Sequence, residues 1–285
     1  MSSVPVRLRG LLGQLSPATR RVAAHVLADP HAAAQSTITE LAEQTGTSQS
    51  TIVRLCHETG LAGYREFRLA LAADVARSDA ETPTGITSDI SPDDELATVV
   101  AKIAVADTRA VNQTAQALSV PDLEAVVVAV ARARQIGIYG VGASGIVAAD
   151  LEQKLRRIGL VAAAHTDIHL ALTSAALLTG DDVAIGLSHS GTTSETVDAL
   201  ATARRAGAVT VAVTDAPRSP VAAAADRVLL TAAQETRFRS GATASRLAQL
   251  TVVDCLYVGV AQRTYAASRR ALELTRDAVS HRRRT

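Results

Sequence analysis

Eight consecutive residues, Ser188-His189-Ser190-Gly191-Thr192-Thr193-Ser194-Glu195, concentrate hydroxyls, one glycine and a helix start. They follow an apolar run, Val183-Ala184-Ile185-Gly186-Leu187, that reads as a buried strand. A helix N-terminus carries unpaired backbone N–H groups and the positive end of the helix dipole, which suits an anion. Ser and Thr hydroxyls add donors without adding charge, and a glycine lets the backbone bend close to a ligand. A plain capped turn needs one Ser or Thr, so the richer set predicts a phosphate cradle.

A second loop supports it. The strand Gln135–Tyr139 runs into Gly140-Val141-Gly142-Ala143-Ser144-Gly145 and then into a helix. This matches the Gly-x-Gly-x-x-Gly dinucleotide fingerprint, and Asp167 stands about where a ribose-binding acid would. A lone fingerprint is weak evidence for NAD, and it leaves the hydroxyl-rich loop unexplained. Strands near Leu160–Ala164, Val183–Leu187, Ala208–Val213 and Arg227–Leu230 alternate with helices, the last near Thr243–Gln262. Such alternation predicts a doubly wound parallel sheet of five strands. In the order 2-1-3-4-5, strands 1 and 3 flank the topological switch point, so their loops open on one crevice. Ser144 then comes close to Ser188, Ser190 and Thr193. Two hydroxyl-bearing loops suit one compact phosphate better than an extended dinucleotide, so no cofactor is expected.

The N-terminal third holds a second pattern. Thr39 or Ser36 can cap a short helix through Ile38–Gln44, Gly46 makes a turn, and Ser48 caps a helix over Gln49–Thr59 that ends at Gly60. Leu41, Ala42, Ile52, Leu55 and Cys56 supply apolar contacts between the two helices. This is helix-turn-helix spacing, in which the second helix enters the major groove of double-stranded DNA. Ser48, Gln49, Ser50, Thr51 and Arg54 are the candidate DNA contacts, with His57 able to reach a backbone phosphate. Gln bonds adenine and Arg bonds guanine in two places each, and Ser or Thr bonds phosphate or base edges. No acidic residue occurs from Gly46 through His57, as a face meant for phosphates requires.

Both regions resemble known families. The segments LSPATRRVAAHVLADP and ITELAEQTGTSQSTIVRLCHETGLAGYREFRLALA resemble the DNA-binding domain of RpiR-type bacterial transcriptional regulators. Tyr64 and Phe67 are expected to pack inward there. GVGASG, SHSGTTSE, the ARRAGA…AVTD stretch and SRLAQLTVVDCLYV resemble the sugar isomerase (SIS) domain, which binds phosphosugars as isomerase or sensor. The resemblance implies that Ser144, Ser188, Ser190 and Thr193 hold the phosphate and His189 lends its backbone N–H. Glu235 would contact the sugar; Glu195 would either accept from a sugar hydroxyl or stabilise its helix dipole. The alternative is a phosphosugar (aldose-ketose) isomerase, for which His165, His169, His189, Glu195 and Glu235 are the available bases. None stands in a spacing that points to acid–base work, and an attached DNA reader favours a sensor, so no catalytic residue is expected.

Composition bounds the rest. The 285 residues are 47% hydrophobic but only 2% aromatic, so the cores must be built from Ala, Val, Leu and Ile. The net charge of +1 requires any nucleic-acid surface to be local. Cys56 and Cys255 lie far apart and in no metal-ligand spacing; they read as small buried hydrophobes in a reducing compartment. No stretch reaches the roughly 18 apolar residues of a membrane span, so a cytoplasmic, soluble protein is expected. The expected plan is an all-α helix-turn-helix domain over 1–77, a linker over 78–94 and an α/β domain over 95–285. Two reading heads imply a homodimer or homotetramer, with the helices near Leu96–Leu118 and Thr243–Gln262 as either interface or core. Arg282, Arg283 and Arg284 read as a solvated end.

Overall fold

The computed structural model describes residues 3–80, 90–233, 235 and 243–280. The middle of the expected linker and Arg282, Arg283 and Arg284 lie outside them. The chain divides into two compact units, Met1–Ala106 with Ala216–Arg218, and Asp107–Asp215 with Ser219–Thr285.

In the first unit, α1 (Val4–Leu11), α2 (Pro17–Ala28), α3 (Pro30–Gln35), α4 (Ile38–Thr45), α5 (Gln49–Glu58) and α6 (Tyr64–Ala80) surround one apolar core. The first helix has no counterpart in the sequence reading. Its Val4, Leu8 and Leu11 recur at helical spacing and are buried with Val22, Leu41, Ile52, Leu55 and Phe67. Arg7 Nη1 donates to the Thr59 carbonyl at 2.9 Å, tying α1 to the end of α5. Tyr64 stacks on the buried Phe67 with centroids 6.3 Å apart, and its hydroxyl donates to the Ser36 carbonyl, as inward packing requires.

The helix α7 (Leu96–Ala117) runs into the second unit, followed by α8 (Val120–Arg132), β1 (Ile136–Tyr139), α9 (Ala143–Arg157), β2 (Ala162–His165), α10 (Ile168–Ala176) and β3 (Val183–Leu187). Then come α11 (Ser194–Arg205), β4 (Val209–Thr214), α12 (Pro220–Ala223), β5 (Arg227–Leu230), α13 (Ala244–Arg263) and α14 (Tyr265–Ser280). The strands form a five-stranded parallel sheet in the order β2, β1, β3, β4, β5. No single described helix is long and apolar enough to cross a membrane.

Alternation along β3 sets the layers. Val183, Ile185 and Leu187 enter a core of large aliphatics with residues of α8, α9 and α13. Ala184 enters a second core rich in alanine on the side of α10 and α11. A Cβ on Gly186 would stand 3.1 Å from Thr196 Cγ2 and 3.3 Å from Leu200 Cδ2, so the small side of β3 lets α11 pack close. That approach aims the start of α11 at the C-terminal edge of the sheet. The opposite edge is fastened by Asp182, whose carboxylate takes Arg134 Nε at 3.0 Å and Nη2 at 2.7 Å, with Thr179 and Gln135 also donating. Burial alone would raise its pKa, but these bonds outweigh that and hold it at about 2.

The two cysteines differ from the expected pair of buried hydrophobes. Cys255 is exposed on α13, whereas Cys56 is buried and its thiol is pushed up to about 12 by burial. The long helix α13 turns Ala248, Val252, Val253, Leu256 and Val260 into the core, the second of the two places expected for it.

Candidate functional site

The helix-turn-helix forms as its residues imply, with one change of cap. Thr37, not Thr39 or Ser36, caps α4: its side chain accepts from Glu40 N while Glu40 returns to the Thr37 backbone. Ser36 ends α3, its backbone N–H and its hydroxyl both donating to Ala32 O. Thr39 lies inside α4, where its hydroxyl accepts from Gln49 Nε2 at 3.0 Å. Gly46 ends α4 in the left-handed conformation, φ 59°, where a glycine carries no Cβ penalty. Ser48 caps α5, accepting from Thr51 N.

Hydroxyl contacts from Ser48 to Ser50 and Thr51, 2.8 and 2.9 Å, close this helix start on itself. Ser48, Gln49, Ser50, Arg54 and His57 are exposed and Thr51 is half-buried. Leu41, Ala42, Ile52, Leu55 and Cys56 are all buried behind them.

The second site lies where β1 and β3, neighbours in the sheet, release their loops at the C-terminal edge. The loops are in close approach, for a Cβ on Gly140 would stand 3.3 Å from the Leu187 carbonyl. Ser188 is buried; its Oγ accepts from Gly191 N at 3.1 Å and lies 3.0 Å from Thr193 Oγ1. Ser190 is exposed at the turn, 2.9 Å from Thr192 Oγ1. Gly191 has φ 69°, and a Cβ there would run into Ser219 Oγ and Cβ. The His189 carbonyl is held by Asp215 N and the Thr214 hydroxyl.

Neither helix that follows these two loops is capped by its N-cap side chain. Gly142 precedes α9 and Thr193 precedes α11, each without a capping hydrogen bond, and no carboxylate stands in the first turn of α9. Glu195 is in the first turn of α11. Its backbone N–H, then the Ser194 hydroxyl, hold its carboxyl below the usual range, which fits the dipole role.

Among the buried side-chain atoms of this unit without a hydrogen-bond partner, two belong to candidate site residues, beside Tyr139 Oη, Asp150 Oδ2, Thr196 Oγ1 and Thr231 Oγ1. His189 Nδ1 and Glu235 Oε2 are buried with no hydrogen-bond partner among the described residues. Glu235 Oε1 takes Ser245 N at 2.9 Å, at the start of α13. Burial holds the His189 imidazole below its ordinary pKa, partly offset by the Glu235 carboxylate. Asp167, the ribose acid of the dinucleotide reading, caps α10 by accepting from Leu170 N. A recess of about 10 Å³ beside Tyr139, His165, Asp167 and Glu195 has room only for water. Among the candidate bases, His165 stacks on Tyr139 at 5.7 Å and His169 is exposed on α10.

Sequence reasoning missed Gln249. It is 1% exposed on α13 and its Nε2 donates to Ser144 Oγ at 3.1 Å. Its only signal was a polar residue on the apolar face of a long helix.

A helix-turn-helix and a hydroxyl-lined parallel α/β unit in one chain define a transcriptional regulator with a SIS-type domain. The model of the helix-turn-helix domain of the rpiR family matches residues 6–78, and that of the SIS domain matches 129–259. An HTH-type transcriptional regulator of Caldanaerobacter subterraneus subsp. tengcongensis is 38% identical over 282 residues, 99% of either chain. The HTH-type transcriptional regulator RpiR of Escherichia coli K12 is 32% identical over 201 residues, 70% of this chain and 67% of that one. Among solved structures, Vibrio vulnificus NanR complexed with ManNAc-6P superposes with a TM-score of 0.62 at 31% identity, over 97% of this chain and 98% of that one. The chain belongs to the RpiR family of HTH-type transcriptional regulators.

Proposed function

We propose that this protein is a cytoplasmic, oligomeric regulator that reads operator DNA with α5 and whose operator affinity is set by a phosphosugar in the crevice of the α/β unit. One observation carries the ligand half: α9 and α11 both start at the same sheet edge, uncapped and surrounded by hydroxyls. An anion there completes the bonding of both helix starts. Ser144, Ser188, Ser190 and Thr193 supply hydroxyls to the phosphate and His189 its backbone N–H. Glu235 Oε2 accepts from a sugar hydroxyl, which resolves a buried carboxylate oxygen left without a partner. The ligand seen on the NanR relative, a phosphorylated sugar, supports the same chemistry here.

On the DNA side, Gln49, Ser50, Arg54 and His57 reach base edges or phosphates, while Ser48 and Thr51 hold the helix start. Two copies present two such helices to two half-sites. A phosphosugar shifts operator binding only by its difference in affinity between the DNA-competent and incompetent arrangements. The domain acts as a sensor, without turnover of the sugar.

A thermal-shift panel of hexose, pentose and amino-sugar phosphates, their unphosphorylated forms and NAD tests the ligand class. At about 100 times its dissociation constant a ligand adds roughly 2.7 kcal/mol to folded-state stability. Stabilisation by one phosphosugar and not by its parent sugar is the expected result. Stabilisation by NAD alone, or conversion of an aldose phosphate to a ketose phosphate, contradicts the reading. Ser190→Ala is expected to weaken phosphosugar binding by about 1.5–3 kcal/mol, the worth of a bond to a charged group.

A further inference from the structure

We infer that Gln249 is a positioning residue for the anion site: its amide fixes which way the Ser144 hydroxyl points. The inference rests on the phosphate reading of the crevice. A serine hydroxyl has one proton and two lone pairs, and left alone it rotates between donating and accepting. Gln249 Nε2 donates to Ser144 Oγ at 3.1 Å, from a side chain 1% exposed and 105 residues away in sequence. With a lone pair occupied by an N–H, the Ser144 O–H is free to point elsewhere. The phosphate oxygens, which only accept, are the partners it is kept for.

The same logic recurs in the facing loop. Gly191 N donates to Ser188 Oγ at 3.1 Å, so that hydroxyl too has an acceptor position filled by an N–H. The Ser144 hydroxyl is thus turned into a donor before an anion arrives, which lowers the ordering cost of binding, while the Ser188 hydroxyl has Thr193 Oγ1 as its other neighbour at 3.0 Å. Gln249 is built for this alone among the polar residues of its face. Its neighbours Ala248, Val252, Val253 and Leu256 are core, and Ser245 meets Glu235 one turn earlier. A buried amide in such surroundings is costly unless it is bonded, and its bond is to Ser144.

The test is a double-mutant cycle on the full chain, reading thermal stabilisation by inorganic phosphate at constant ionic strength. Gln249→Met keeps the shape and removes the donor; Gln249→Asn keeps the amide and withdraws it by a methylene. Each is expected to weaken phosphate binding about tenfold, as loss of one charge-assisted hydrogen bond does. Gln249→Glu should weaken it further, because a carboxylate takes the Ser144 proton and repels the anion. In a Ser144→Ala background the Gln249 substitutions should cost nothing more, since there is no hydroxyl left to orient. Wild-type phosphate binding in both Gln249→Met and Gln249→Asn, or an equal loss with and without Ser144, overturns the inference. Ser190→Ala separates this from failure of the site. If it too binds phosphate as wild type does, the crevice reading falls and the inference with it. A loss in Ser190→Ala beside unchanged Gln249 variants leaves the site standing and removes only the role of Gln249.

Discussion

Two helix starts in this molecule share a composition and differ in what they do with it. At α5, Ser48, Ser50 and Thr51 spend their hydroxyls on one another and on the Thr51 N–H, and the helix is capped. At α11, Thr193 makes no capping bond, Ser188 turns towards Gly191 and Thr193, and a first-turn N–H, that of Glu195, is met only by its own carboxylate. Both starts follow a left-handed glycine by two residues, Gly46 and Gly191, and both N-caps are extended. The difference is the partner of the cap hydroxyl: Ser48 Oγ accepts from Thr51 N, whereas Thr193 Oγ1 turns to Ser188 Oγ at 3.0 Å. The capped start of α5 leaves Gln49 and Arg54 exposed, the side chains proposed above for base edges, and the start of α11 is the one proposed for an anion. On the proposed function, the self-satisfied hydroxyl-rich start serves DNA reading and the other serves small-ligand binding.

The most disruptive way to break this contrast is Gly191→Ala. It imposes a left-handed conformation on a residue with a Cβ and drives that Cβ into Ser219. A loss of about 3 kcal/mol in denaturant-melt stability is expected, with loss of phosphosugar stabilisation. Next is Arg54→Ala, which should cost about 1–3 kcal/mol in operator binding by fluorescence anisotropy while leaving phosphosugar binding unchanged. The caps sharpen the comparison directly. Ser48→Ala should lower stability by about 1 kcal/mol because a cap is lost. Thr193→Ala loses only a side-chain contact, so it should cost about 0.5 kcal/mol in stability yet weaken phosphosugar binding about tenfold.

The smallest effect concerns pH. Burial keeps His189 neutral below its ordinary pKa, so as pH falls through the value for a free imidazole the unfolded chain takes up the proton first. The stability associated with neutral His189 is complete above that value and declines below it. Melting curves at about pH 7.5 and about pH 5.5 should show a smaller acid loss for His189→Gln than for wild type.

Much of this was legible in the residues. The order of the sheet follows from alternating apolar runs, and the span Val183–Leu187 matches β3 residue for residue. The turn of the helix-turn-helix was legible because Gly46 and Ser48 each have one local reason to be there. The cap of α4 was not, because Ser36, Thr37 and Thr39 are chemically alike and only the end of α3 decides among them. Two helices at the margins, α1 and α14, escaped for another reason. Their apolar residues are interleaved with arginines, and only tertiary packing shows which face is inside. Gln249 was hidden because its partner is 105 residues away. Local pattern identifies a loop rich in hydroxyls, and it takes the fold to show what orients them.

Coupling between the proposed DNA reader and the phosphosugar site is measured by anisotropy on a DNA fragment selected from random sequence by the full chain, titrated with the phosphosugar that stabilises it. Operator affinity is expected to change about tenfold or more with the phosphorylated ligand, a typical coupling energy, and not with its parent sugar. An operator affinity that no stabilising phosphosugar alters would contradict this coupling.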